Sequence, residues 1–128
     1  MLRADPEREG LLYAGTERGL YFSIDNGGTW RPLQLNLPVV PITDMLVKGD
    51  DLVAATQGRG YWILDDLGML RQLREAGDGD APVLYAPDDT YRLIAGGRAE
   101  NAGNAGTNPY PGVSIYYHLP EALAGTQD

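Results

Sequence analysis

Ser23-Ile24-Asp25-Asn26-Gly27-Gly28-Thr29-Trp30 reads Ser-x-Asp-x-Gly-x-Thr-Trp. It follows a strand pattern over Gly19 to Asp25, in which Leu20, Phe22 and Ile24 alternate with Tyr21, Ser23 and Asp25. Three structural demands are met in these eight residues. The Asp25 carboxylate can accept the backbone N–H groups of the turn just after it. Gly27 and Gly28 are expected to supply the positive φ angles of a tight hairpin turn. Trp30 is a large apolar anchor placed where the chain turns back, so it is expected to plug the space beneath the turn. Trp30 to Leu35 then reads as the returning strand. Pro32 has no ladder donor, which puts that strand at a sheet edge.

Working outward, Leu11–Thr16, Ile42–Lys48, Leu52–Thr56 and Tyr61–Asp65 also read as strands. Turns at Glu17–Gly19, Gly49–Asp51 and Gln57–Gly60 separate them. A shift of 40 residues superposes Leu12–Leu33 on Leu52–Leu73 with eight identities in 22 positions, including Ala14/Ala54, Tyr21/Tyr61, Asp25/Asp65, Gly28/Gly68 and Arg31/Arg71. Chance at ordinary composition gives about one or two. A period near 40–45 is that of one four-stranded propeller blade. In the second copy of the turn, 63–70, Ser23 becomes Ile63, Thr29 becomes Met69 and Trp30 becomes Leu70, so only the Asp and one Gly persist. The pattern stops at Arg74. Pro82–Pro87 and Val113–Leu119 read as isolated strands, with a Gly/Asn-rich linker ending at Pro111 between them.

The 128 residues are enough for one small domain, and 43% apolar content is not that of a disordered tail. Gly 17 and Pro 9 suit a turn-rich all-β chain. A net charge of −8 with a single lysine argues against nucleic acid or an anionic membrane as partner. No cysteine is present, so disulfides and thiolate metal sites are excluded. Met1–Pro6 has neither the apolar core nor the cleavage site of a signal peptide. No run has the roughly 20 apolar residues of a membrane span.

The fixed positions of Ser23, Asp25, Gly27, Thr29 and Trp30 resemble the Asp-box, or bacterial neuraminidase repeat. That motif closes the hairpin between the third and fourth strands of blades in sialidase-like and sortilin-like propellers. The order of Leu-Leu-Tyr-Ala-Gly-Thr, the box, a Leu-Pro-Val-Val-Pro connector and Ala-Thr-Gln-Gly-Arg-Gly-Tyr-Trp is similar to the last blades of large exported bacterial proteins usually labelled glycosyl hydrolases. The resemblance implies an all-β fragment of a β-propeller. About two four-stranded blades would occupy 1–75, the first without its own leading strand. A closing segment and linker would fill 76–111. The first strand of a truncated sandwich-like domain would follow in 112–128. It further implies a scaffold with no complete active site of its own, partnered by the remaining blades of an exported parent. Two alternatives stand beside it: a module binding glycan or peptide, and a contributor of rim residues to a glycosidase site completed elsewhere.

No cofactor and no metal site is expected. Asp25-Asn26-Gly27 lacks the further oxygens and distal Glu of a calcium loop. With one histidine, His118, and no cysteine, a zinc site is not expected. Adjacent carboxylates on one strand point to opposite faces, so neither Asp50-Asp51 nor Asp65-Asp66 can flank a sugar unaided. Asp65, as the repeat partner of Asp25, is expected in the turn, which leaves Asp66 as the acid candidate. Arg18 and Arg59 sit at matching turns, where a bidentate guanidinium could clamp a carboxylate. The alternative for both is a solvated rim charge. Tyr61 and Trp62 could stack on a sugar. As counterparts of Tyr21 and Phe22, they read more simply as a repeated packing position.

Overall fold

The computed structural model describes residues 1–77, 81–90 and 112–120. They form three antiparallel sheets and one short helix, so the chain is mostly β. The expected linker falls largely outside the described residues.

The first sheet has four strands in chain order: β1 (Leu2–Ala4), β2 (Leu12–Thr16), β3 (Gly19–Ser23) and β4 (Arg31–Pro32). The first unit therefore has a leading strand, contrary to the expectation from sequence. Leu2, Arg3 and Ala4 pair with Ala14, Tyr13 and Leu12. Three residues are too few to display an alternation, which is why the pattern does not mark them. Pro32 is in the edge strand β4, as its missing donor requires.

The second sheet has three strands, β5 (Ile42–Lys48), β6 (Asp51–Thr56) and β7 (Tyr61–Leu64). A fourth strand is expected next. Instead the chain forms helix α1 (Gly68–Ala76). Its residues Met69, Leu70, Arg71, Gln72, Leu73, Arg74, Glu75 and Ala76 are strong helix formers with no β-branched member. Leu70 and Leu73 lie three apart on the face that meets the core. The loss of Thr29 and Trp30 in the second copy thus changes the element and not only the turn.

The two sheets pack face to face over one core. Leu11, Tyr13, Leu20 and Phe22 come from the first unit, Ile42, Met45, Leu52 and Ala54 from the second, and Leu67 and Leu70 from the α1 region. Gly15 sets the approach, because a Cβ there would lie 2.7 Å from Ile42 Cγ2. Arg3 bridges the sheets by donating from Nε to the Met45 carbonyl at 2.9 Å.

Strand register corrects the repeat. Leu12 and Ala14 match Leu52 and Ala54, but their partners in the next strand are Ser23 and Tyr21 against Leu64 and Trp62. The offset is therefore 40 in the second strand of each unit and 41 in the third. The turn Gln57–Gly60 holds the extra residue. Trp62 is the counterpart of Tyr21, Ile63 of Phe22 and Asp66 of Asp25. The 40-residue alignment keeps identities such as Tyr21/Tyr61 at the expense of the pairing, and pairing decides which face a side chain takes.

The two isolated strands pair with each other. β8 (Val83–Leu84) and β9 (Tyr117–His118) are antiparallel, with Val83 opposite His118 and Leu84 opposite Tyr117. The 81–90 segment docks on α1, where Gln72 donates to the Ala86 carbonyl at 3.0 Å and accepts the Ala86 amide at 2.9 Å.

Candidate functional site

The hairpin between β3 and β4 is closed by a three-side-chain staple. Ser23 Oγ donates to Asp25 Oδ1 at 2.7 Å and accepts the Gly27 amide at 2.8 Å. Asp25 Oδ1 accepts the Thr29 amide and Oδ2 the Thr29 hydroxyl, both at 2.8 Å. Positive φ falls on Asn26 (57°) and Gly27 (91°), not on Gly27 and Gly28 as expected. Gly28 is needed for space: a Cβ there would sit 2.9 Å from Asp25 Oδ2. Trp30 lies beside Gly27 and is 40% exposed, so it leans on the turn from outside and does not plug it.

The donors around Asp25 lower its pKa from 3.8 to about 2, the Thr29 amide contributing most and the Ser23 and Thr29 hydroxyls next. A depressed carboxylate pKa gives stability that is complete above the ordinary value and lost as pH falls through the folded one. The staple is therefore expected to release between pH 3.8 and about 2. An NMR titration of the Thr29 amide should show a midpoint near the lower value. A midpoint at or above 3.8 would contradict the bonding described.

In the second unit the turn function passes to Asp66. Its Oδ1 accepts the Gly68 amide at 3.1 Å, from a backbone at φ 64°. Asp65, expected in that role, lies nearby, with its pKa raised by burial and then by the charge of Asp51. Asp66 also hydrogen-bonds Asp88, and that bond is the first cause of a raised Asp88 pKa, followed by burial and the Asp66 charge. A Cβ at Gly68 would fall on the Asp88 carboxyl. Two carboxyls in contact cannot flank a sugar, which needs a separation of about 5 Å or more.

The rim candidates do not converge. Arg18 and Arg59 are exposed on separate turns. Trp62 is half-buried against the core and its Nε1 donates to the Arg59 carbonyl at 3.1 Å. Tyr61 is 79% exposed and, as the next residue of β7, faces the other way. The two rings therefore form no common platform. A cleft between the sheets, lined by Leu20, Leu33, Gln34, Leu52, Trp62 and Leu64 among others, has a volume of about 40 Å³. It admits a few waters and falls far short of the roughly 300 Å³ of a ligand pocket. His118 is exposed on β9. Among the described residues no group of three His, Cys, Asp or Glu could hold a metal ion. No described helix is long and apolar enough to cross a membrane.

The densest polar cluster among the described residues carries no signal in the sequence. Asp5, in the loop between β1 and β2, is buried. Its Oδ1 accepts the amides of Glu7 and Arg8, both at 2.9 Å, and its Oδ2 accepts the Tyr13 hydroxyl at 2.9 Å. Arg71 Nε from α1 reaches both carboxylate oxygens at 3.1 and 3.2 Å. Arg71 Nη1 also donates to Glu7 at 3.0 Å and to Asp50 at 2.6 Å, and Nη2 to the Gly49 carbonyl at 2.9 Å. Burial, then the Asp5 charge, pushes the Tyr13 hydroxyl far above its ordinary range. One guanidinium thus ties the loop before β2, the β5–β6 turn and the helix together. The Asp-Pro pair does signal a turn, but no local pattern pairs Asp5 with a residue 66 positions away.

No family model, curated protein or solved structure matches the chain.

Proposed function

We propose that the chain is a structural segment of an Asp-box β-propeller of the sialidase-like and sortilin-like kind. It contributes two adjacent blades and holds no complete active site. The observation that carries this reading is the Ser23–Asp25–Thr29 staple at the β3–β4 hairpin, in a sheet whose plan recurs about 40 residues later. The stacking of the two sheets on one core supports it. The buried Asp5–Arg71 cluster is spent on joining elements, which suits a scaffold.

The second blade is a modified one, with α1 in place of its outer strand. Its parent is proposed to be a glycosyl hydrolase-like exported protein, and the remaining blades of that parent are this segment's partners. A structure of the longest natural polypeptide containing this sequence tests the reading. β1 and β5 are expected to border a central channel, with the Asp25 hairpin on the outer perimeter. A non-radial sandwich would refute it. Retention of a sugar on a glycan array by the isolated chain would instead favour a binding module.

A further inference from the structure

The unit-to-unit register has a physical consequence at the two outer faces of the stack. The interface between the sheets is not symmetric. The first sheet contributes the face of Tyr13 and Phe22, and the second contributes the face of Met45, Leu52, Ala54 and Trp62. In the second sheet the positions equivalent to Tyr13 and Phe22 are Val53 and Ile63, which lie on its outer face beside Leu46. Leu46 is 58% and Ile63 57% exposed. In the first sheet the positions equivalent to Met45, Leu52, Ala54 and Trp62 are Leu2, Leu12, Ala14 and Tyr21. These too face outward, with Leu2 54% exposed and the other three half-buried. Each outer face therefore repeats the half of the internal interface that would fit the other outer face. Surfaces related in this way associate head to tail and build a ring or a filament, and neither face meets its own like as in an isologous dimer.

We infer that the outer face of the second sheet, Leu46–Val53–Ile63, takes the outer face of the first sheet, Leu2–Leu12–Ala14–Tyr21, of a second copy of this chain. The occupant is chosen by continuity with the internal interface, where the same positions are buried, or half-buried at Trp62, with apolar partners. The docking rests on register alone. It rests on the propeller reading only for closure of the stack into a ring. Within the parent the remaining blades would take these faces; for the chain by itself, closure at the usual four to eight blades takes about two to four copies. The charge of −8 on each copy opposes contact, so added salt strengthens association by screening.

Sedimentation velocity of the full chain from micromolar to millimolar concentration tests this, at low and high salt. The mass is expected to rise above 13.9 kDa with concentration, more steeply at high salt. Ile63→Arg blocks one face and Leu2→Arg the other. Each variant alone is expected to remain monomeric, and an equimolar mixture to form a dimer and nothing larger, because each copy keeps one complementary face. Ile63→Val should associate as the parent does. Far-UV circular dichroism and a thermal melt check that the variants fold, and Leu46→Lys replaces Ile63→Arg if that one does not.

A wild-type chain that stays monomeric at every concentration and salt overturns the inference, including the case in which other residues of the chain cover these faces. So does a single-face variant that associates like the wild type, which marks a symmetric dimer. A mixture that stays monomeric while the wild type associates overturns it as well. The propeller reading survives a monomeric result if the longer polypeptide forms a ring, whereas head-to-tail filaments that never close would sustain the docking and count against the ring.

Discussion

Arg71→Leu is expected to lower the unfolding free energy by about 3–5 kcal/mol, because it strands a buried carboxylate without its counter-charge. The Asp5 side chain has no solvent access and that of Arg71 little, so water cannot take over the lost contacts. Asp50 and Glu7, each 58% exposed, lose much less, since exposed pairs are worth only about 0–1 kcal/mol. Chemical denaturation monitored by tryptophan fluorescence measures the change, and the melting temperature should fall by roughly 10 °C or more. Arg71→Lys keeps the charge but not the fork that reaches Asp5, Asp50 and Gly49 together, and is expected to recover only part of the loss. The double variant Asp5→Leu/Arg71→Leu should be more stable than Arg71→Leu alone, because both charges then leave the interior. If the single and double variants were equally unstable, the damage would be lost packing and not the orphaned carboxylate.

Phe22→Ala is expected to cost about 3–5 kcal/mol, as a buried aromatic is removed from a packed core. Ile63→Ala, at the equivalent register position, is expected to stay within about 0.5 kcal/mol in dilute solution, where its side chain meets water. The contrast follows from exposure: Phe22 is 7% exposed and Ile63 57%. Equilibrium unfolding of both variants at a few micromolar measures it. Raising the protein concentration should make Ile63→Ala costly, because the parent then gains stability by association while the variant gains less. An equal cost for the two positions at high dilution would mean that the outer face is already covered.

Local chemistry is legible in the sequence where an element is complete within a few residues. The strands β2, β3, β5, β6 and β7 follow from alternating apolar residues, and the edge position of Pro32 from its missing donor. Asp25 accepts the Thr29 backbone amide, as its place before the turn implies, while the bonds from the Ser23 and Thr29 hydroxyls are seen only in the structure. The expectations that fail do so for different reasons. Gly28 is expected to supply a positive φ, but its space beside the Asp25 carboxylate is what matters. Identity alone matches Asp65 to Asp25, whereas the longer Gln57–Gly60 turn shifts the match to Asp66. A fourth strand is expected in the second unit because Arg71 and Leu73 repeat Arg31 and Leu33, whereas helix propensity and i, i+3 apolar spacing make Gly68–Ala76 a helix.

By itself, then, the sequence determined a repeated, mostly β chain and the role of Asp25 as acceptor in the turn after β3, because both depend on neighbours along the backbone. The tertiary structure alone decided that Asp5 and Arg71 meet across 66 positions, that Asp66 and not Asp65 turns the second unit, and that β8 finds β9. It also decided which face of each sheet is left for water. Those outcomes depend on which strand pairs with which and in what register, and a shift of one residue moves a side chain from the core to the surface.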